Sequence, residues 1–205
     1  MTTTLTTAPL APMLDRLFAQ AVATTSPAMA GMPREELERL MHSKTEYLGL
    51  YGLLKDLWLP VSRETGVLLY MLARNANARN IVEFGTSFGI STLHMAAALR
   101  DNGGGRLISS EFEPSKVARA RQHLVEAGLA DLVEIREGDA LQTLAAGLPD
   151  AIDLLLLDGA KALYGDILAD NADHSPDYLA QVRSPGSGYL SVPFSEDVEL
   201  SLRLG

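Results

Sequence analysis

From residue 80 onward the chain changes its period. Short apolar runs alternate with stretches of helical spacing, the pattern of βαβ units built around a parallel sheet. Four runs are legible as strands: Asn80–Phe84, Arg106–Ser110, Leu132–Arg136 and Ile152–Leu157. The last, Ile-Asp-Leu-Leu-Leu-Leu, suits a strand buried on both faces. Helices are expected over Gly89–Leu99, Pro114–Ala127 and Asp139–Ala146, with Pro114 in a first turn and Gly128 just past an end. The tail from Val198 to Leu204 alternates strictly, which predicts an antiparallel strand on the sheet edge. The predicted class is α/β, a doubly wound, mostly parallel sheet with an antiparallel C-terminal edge strand and N-terminal helices.

Before residue 80 the period is helical. Residues 1–9 are Thr-rich and expected to fray, after which Leu10, Leu14, Leu17, Phe18 and Ala21 recur on one helix face. A second helix is expected from Pro33, with Leu37, Leu40 and Met41 on one side. Val61-Ser62-Arg63-Glu64 reads as a helix start with Ser62 as the N-cap. This predicts one domain over 61–205 and a helical appendage over 1–60. In that appendage Met29, Met32, Met41, Tyr47, Tyr51 and Trp58 serve an acceptor pocket, a dimer interface or plain core packing.

Composition removes several function classes. Lys plus Arg number 17 against 26 Asp plus Glu, a net charge of −9 with no basic cluster, which argues against nucleic acid as a partner. There is no cysteine, so disulfides, thiolate zinc sites and a Cys nucleophile are excluded, and any metal must be held by oxygen or imidazole. The longest charge-free window, Leu17–Pro33, is broken by Thr24, Thr25, Ser26, Pro27 and Gly31. No signal peptide, transmembrane span or membrane partner is expected from it, which predicts a cytoplasmic protein.

Four constellations sit where strands end. In Glu83-Phe84-Gly85-Thr86-Ser87-Phe88-Gly89 the first strand turns into a helix, either as a tight turn or as a ligand loop under a helix N-terminus. Glu111 ends the second strand 22 residues after Gly89, the spacing at which doubly wound folds place a carboxylate on ribose hydroxyls. Glu113 beside Pro114 is available to cap the next helix. Asp139 either caps the helix after the third strand or meets an adenine amino group, or does both. Asp158 closes the most apolar strand, as a cap or as a group on the functional rim, and Lys161 follows it. Ala169-Asp170-Asn171 is either a polar turn or, with Asp158, a set of oxygen ligands for a hard divalent cation.

Together, Glu83-Phe84-Gly85 through Gly89, Glu111, Gly138-Asp139-Ala140, Leu157-Asp158-Gly159 with Lys161 and Tyr164, and Ala169-Asp170-Asn171 resemble the small cation-dependent class I O-methyltransferases. That group includes catechol and caffeoyl-CoA O-methyltransferases, and the resemblance runs over about residues 35–205. It implies the Rossmann-like S-adenosylmethionine (SAM) methyltransferase fold. It implies SAM bound by Gly85, Thr86, Gly89, Glu111 and Asp139, with Glu83, Ser87, Ser91, Phe112, Ala140 and Asp158 around it and Val61 and Ser62 closing over it. It further implies a divalent cation, Mg²⁺ foremost, on Asp158, Asp170 and Asn171. Lys161 is then the base, Asp158 stands with it at the reacting centre, and the acceptor is a catechol-like phenol. The amphipathic N-terminal helices add the expectation of a homodimer.

One stretch departs from the family. There the chain crosses back after Tyr164 and adds a fifth parallel strand that ends in the Asp-Asn pair. Here only 12 positions separate Asp158 from Asp170, whereas a parallel crossover takes at least about 10 to 12 residues before any strand is counted. A fifth strand is therefore expected to find no residues, the chain being short by roughly 18. The favoured reading is a segment missing from the sequence as given; the others are a true deletion and an Asp-Asn pair that reaches the metal from a loop. A true deletion would leave a non-catalytic SAM-fold module or dimer partner. An NAD-dependent oxidoreductase is weaker still, because Ser87 replaces the middle glycine of Gly-x-Gly-x-x-Gly.

Overall fold

The computed structural model describes residues 2–24, 32–33, 35–36, 39, 55–58, 60–158, 167–169, 172, 176–194 and 198–204. The expected second helix from Pro33 falls mostly outside the described residues, as do Met29, Met41, Tyr47 and Tyr51. In chain order the elements are α1 (Leu10–Ala23), α2 (Arg63–Asn75), β1 (Asn80–Phe84), α3 (Ile90–Asp101), β2 (Arg106–Glu111), α4 (Pro114–Glu126), β3 (Val133–Glu137) and α5 (Ala140–Thr143). There follow β4 (Leu154–Leu157), β5 (Ile167–Ala169), α6 (Pro176–Arg183), β6 (Tyr189–Pro193) and β7 (Glu199–Arg203).

The strands form one sheet in the order β3-β2-β1-β4-β5-β7-β6, the first five parallel. β4 lies next to β1 with Ile81 opposite Leu154 and Phe84 opposite Leu157. All four of its leucines are buried, which is why this strand carries no polar alternation. α3 is apolar or small on every side and is buried from Ile90 to Leu99, as expected of a helix enclosed by its own domain. α2 starts where the sequence predicts, because Ser62 Oγ accepts the Thr65 N–H at 3.1 Å.

The N-terminus is more ordered than its composition suggests. Thr4–Thr6 form a single 3₁₀ turn rather than a frayed end. The Asp101 carboxylate at the end of α3 takes the Thr4 hydroxyl at 2.5 Å, the Thr4 N–H, and the Tyr70 hydroxyl at 2.7 Å. Leu10, Met13, Leu14, Leu17 and Phe18 of α1 enter the same core as Leu69 and Leu93, so the apolar face of α1 is turned inward.

The expectation that no residues remain for a fifth strand is corrected. β5 is formed by the three residues before the Asp-Asn pair, parallel to β4, with Leu155 opposite Ile167 and Leu157 opposite Ala169. Nine residues, 158–166, separate β4 from β5, fewer than the usual allowance, and the strand itself takes only three. The predicted antiparallel tail is β7, which pairs with β5 through Leu168 opposite Leu200. β6 adds a further antiparallel strand outside it, so the tail sits one place in from the edge. Glu199 on β7 is accordingly buried, and Arg183 of α6 clasps its carboxylate with two hydrogen bonds, at 2.8 and 2.6 Å. α5 ends earlier than predicted. The Arg136 guanidinium takes the carbonyls of Thr143, Ala146 and Gly147, which ties the chain back to β3 after little more than one turn.

Candidate functional site

The strand order reverses between β1 and β4, and in open α/β sheets the crevice outside such a switch point is where ligands bind. The two strand ends meet closely there. Asp158 donates its N–H to the Phe84 carbonyl at 2.9 Å, and a Cβ on Gly85 (φ +96°) would lie 1.9 Å from the Asp158 carbonyl oxygen. Only glycine fits. The chain then turns through Ser87 (φ +48°) to Gly89 (φ +87°), which caps α3 and faces Ala120 of α4.

The turn is fastened to β2. The Ser110 carbonyl accepts the N–H groups of both Gly85 and Thr86 at 3.1 Å. The Glu111 carboxylate takes one N–H on each oxygen, from Ser87 at 2.7 Å and from Glu113 at 2.9 Å. It is thus held at the end of β2 with acceptor capacity to spare, since a carboxylate offers about four lone-pair sites.

Beneath the turn, Glu83 is fully buried. Ser91 donates to its Oε1 at 2.5 Å, and Thr92 and Ser109 donate to its Oε2 at 2.6 Å. Burial raises its pKa, the Ser109, Ser91 and Thr92 hydroxyls oppose that, and the Glu111 charge adds to the rise. A carboxyl with a raised folded pKa contributes stability that is full below its unfolded pKa and is lost as pH rises through the folded value. Glu83→Gln cannot ionise. Melting curves at pH 5 and pH 8 are therefore expected to show the parent losing stability relative to Glu83→Gln at the higher pH, and parallel curves would contradict this account of Glu83.

The cleft above the turn is lined by Trp58, Pro60, Val61, Thr86, Ser87, Phe88, Ile90, Ser91 and Asp158. Its apolar wall is a stack of Trp58 on Phe88, ring centres 4.1 Å apart and planes 7° from parallel. Its polar side holds the Ser87 hydroxyl, buried and without a hydrogen-bond partner among the described residues. Such an orphaned group in a cleft marks a place for a further polar partner.

Of the predicted site residues, Val61, Thr86, Ser87, Ser91 and Asp158 line the cleft, and Gly85, Gly89 and Glu111 shape it. Ser62 caps α2 and Glu83 sits under the turn; neither is a lining residue. Asp139 caps α5, accepting the Leu141 N–H at 2.9 Å, with Ala140 opening that helix and Phe112 exposed nearby in the chain after β2. Lys161, Asp170 and Asn171 lie outside the described residues. Among the described residues no cluster of three or more His, Asp or Glu forms a metal site. The sequence reading left Phe88, Pro60, Ile90 and Lys116 out. Phe88 stood inside the singled-out loop, but nothing local marks which loop side chain faces a cleft.

Residues 82–180 match the family model described as a methyltransferase domain. Over that span the chain is similar to methyltransferase domains. The matched span begins inside β1 and ends inside α6, so it contains the glycine turn, Glu111, Asp139 and Asp158. The chain is 38% identical over 107 residues to a catechol O-methyltransferase of Niastella koreensis, covering 51% of this chain and 48% of that protein. It is 32% identical over 162 residues to catechol O-methyltransferase B of Danio rerio, covering 68% of this chain and 60% of that one. The chain thus spans about half the length of the Niastella relative. Among solved structures it superimposes on the O-methyltransferase TomG of Streptomyces achromogenes, solved in complex with SAM, with a TM-score of 0.56 and 26% identity over 85% of this chain and 92% of that one. The fold is that of the SAM methyltransferases. No helix among the described residues is long and apolar enough to cross a membrane.

Proposed function

We propose that this chain is a SAM-dependent, divalent-cation-dependent O-methyltransferase that methylates one hydroxyl of a small vicinal dihydroxy aromatic acceptor. The observation that carries the reading is the Glu111 carboxylate, pinned by two backbone N–H groups at the switch point and adjoining a cleft whose Ser87 hydroxyl has no hydrogen-bond partner among the described residues. A ribose diol matches a carboxylate with free lone pairs, and a further polar ligand group matches Ser87. The names of the Niastella and Danio relatives support the phenolic acceptor.

When bound, SAM would supply an electrophilic sulfonium methyl group, and a divalent cation would supply positive charge at the acceptor. Glu111 orients the ribose, and Asp139 serves the adenine in addition to its cap. Asp158, Asp170 and Asn171 hold the cation. This assignment is supported by the register of β4 and β5: Leu157 pairs with Ala169, so the residues that follow the two strands in sequence are Asp158 and Asp170. Lys161 accepts the acceptor's phenolic proton. We assign residues 1–60 to the acceptor side, a cytoplasmic location, and a second copy of the chain as partner. The exposed Leu190, Val192 and Leu202 of adjoining β6 and β7 support self-association, which a monomeric mass in solution would contradict.

Thermal melting tests the cofactor. S-adenosylhomocysteine at about 100 times its Kd is expected to add about 2.7 kcal/mol, which raises Tm by about 5–10 °C in a chain of this size. NAD is expected to leave Tm unchanged. A shift with NAD and none with S-adenosylhomocysteine would reverse the assignment.

A further inference from the structure

One face of α4 is turned toward the glycine turn. Lys116, Ala120 and His123 share it by helical spacing: Ala120 meets Gly89, the His123 Nδ1 donates to the Phe88 carbonyl at 2.8 Å, and the Lys116 Nζ lies 5.4 Å from the centre of the Phe88 ring. Lys116 is only 7% exposed. It occupies the first turn of α4, three residues after Glu113, whose N–H holds one Glu111 oxygen; Phe88, on its other side, adjoins Ser87, whose N–H holds the second. The ammonium is therefore bracketed by the two segments that fix Glu111.

We infer that Lys116 is a positioning residue for cofactor binding: its buried ammonium keeps the Glu111 carboxylate in place for the ribose hydroxyls. The inference rests on the ribose role given to Glu111 above. Lysine is among the residues least often buried without a direct partner, and among the described residues no hydrogen bond or ion pair to this ammonium is formed. Desolvation lowers the pKa of Lys116, and the charges of Glu111 first, then Glu113, Asp158 and Asp56, oppose that. With the cation removed, its attraction for the Glu111 carboxylate is lost, and the outward rotamer that releases the Ser87 N–H gains weight. Phe88 contributes its negative face, which lets a charge remain at a site closed to water.

The test is a cycle of binding measurements with S-adenosylhomocysteine, which carries no sulfonium charge, so that loss of the Lys116 cation acts through Glu111. Lys116→Met is expected to weaken binding about 5- to 10-fold, with a melting temperature equal to or above the parent's, since an apolar isostere relieves a buried charge. Lys116→Arg, which keeps the cation over the ring, is expected to stay within about twofold of the parent. In a Glu111→Gln background the Lys116→Met loss is expected to shrink below about twofold. Parent-like binding by Lys116→Met, or an undiminished loss in the Glu111→Gln background, overturns the inference. If Glu111→Gln alone binds like the parent, the ribose reading fails first and the role of Lys116 falls with it.

Discussion

Gly85→Ala is expected to abolish measurable S-adenosylhomocysteine binding and to cost about 3 kcal/mol of stability. Two effects add. The residue sits at φ +96°, where a side chain costs about 1 kcal/mol. The larger effect is contact, because the new methyl would lie 1.9 Å from a backbone oxygen, that of Asp158, which cannot swing away as a side-chain tip can. The ends of β1 and β4 would have to part, stretching the Asp158 N–H to Phe84 carbonyl bond and moving both the glycine turn and a predicted metal ligand. A Tm lower by about 6–12 °C follows from the size of the chain. Gly128→Ala is the control: at φ +68° with open space around it, it pays only the conformational cost and is expected to bind normally. Calorimetric titration and melting of the two variants check this. Parent-like affinity in Gly85→Ala would mean that the closeness of the strand ends does not shape the cleft.

The same closeness explains which parts of the molecule were legible in the sequence. β1, β2 and β4 are dictated by local apolar runs, and the four leucines of β4 need no partner to be recognised as a buried strand. The Ser62 cap and the Gly85–Gly89 turn are also local, because a cap and a left-handed glycine declare themselves by residue type. Glu111 is marked in the sequence by spacing alone. β5 escaped because a three-residue strand has no period to detect, and the crossover allowance used against it is a typical value rather than a bound. The Thr4–Thr6 turn escaped because its anchor, Asp101, is 97 residues away from Thr4. The resemblance implies Glu83 among the cofactor contacts. Its strand directs the side chain to Ser91, Thr92 and Ser109 instead, and only pairing of β1 with β2 brings Ser109 there. Lys116 and the Trp58–Phe88 stack belong to the same class, contacts between segments whose sequences carry no mark of each other.

Lys161→Ala is expected to lower kcat by about 100-fold or more, the range over which a positioned general base contributes. The Kd for S-adenosylhomocysteine is expected to change by less than about threefold. The argument begins with the acceptor, because a phenol titrates near about 10 and is a poor nucleophile while protonated. A lysine can take its proton near neutral pH only if its own pKa is brought down, which a nearby cation and exclusion of water both accomplish. Lys161 follows by three residues in sequence Asp158, which closes the most buried strand. Removing the amine should leave the Glu111 contacts untouched, so the loss falls on turnover. The pH profile separates this from a general structural effect: in the parent, kcat rises as Lys161 loses its proton, whereas in Lys161→Ala the rise moves to higher pH, where the phenol ionises unaided. EDTA is expected to abolish catechol methylation in the parent while S-adenosylhomocysteine still binds, because the residues proposed to hold the cation and the proposed ribose carboxylate, Glu111, are different. Equal losses of turnover and cofactor affinity in Lys161→Ala would remove it from the role of base and leave the acceptor proton to the cation and solvent.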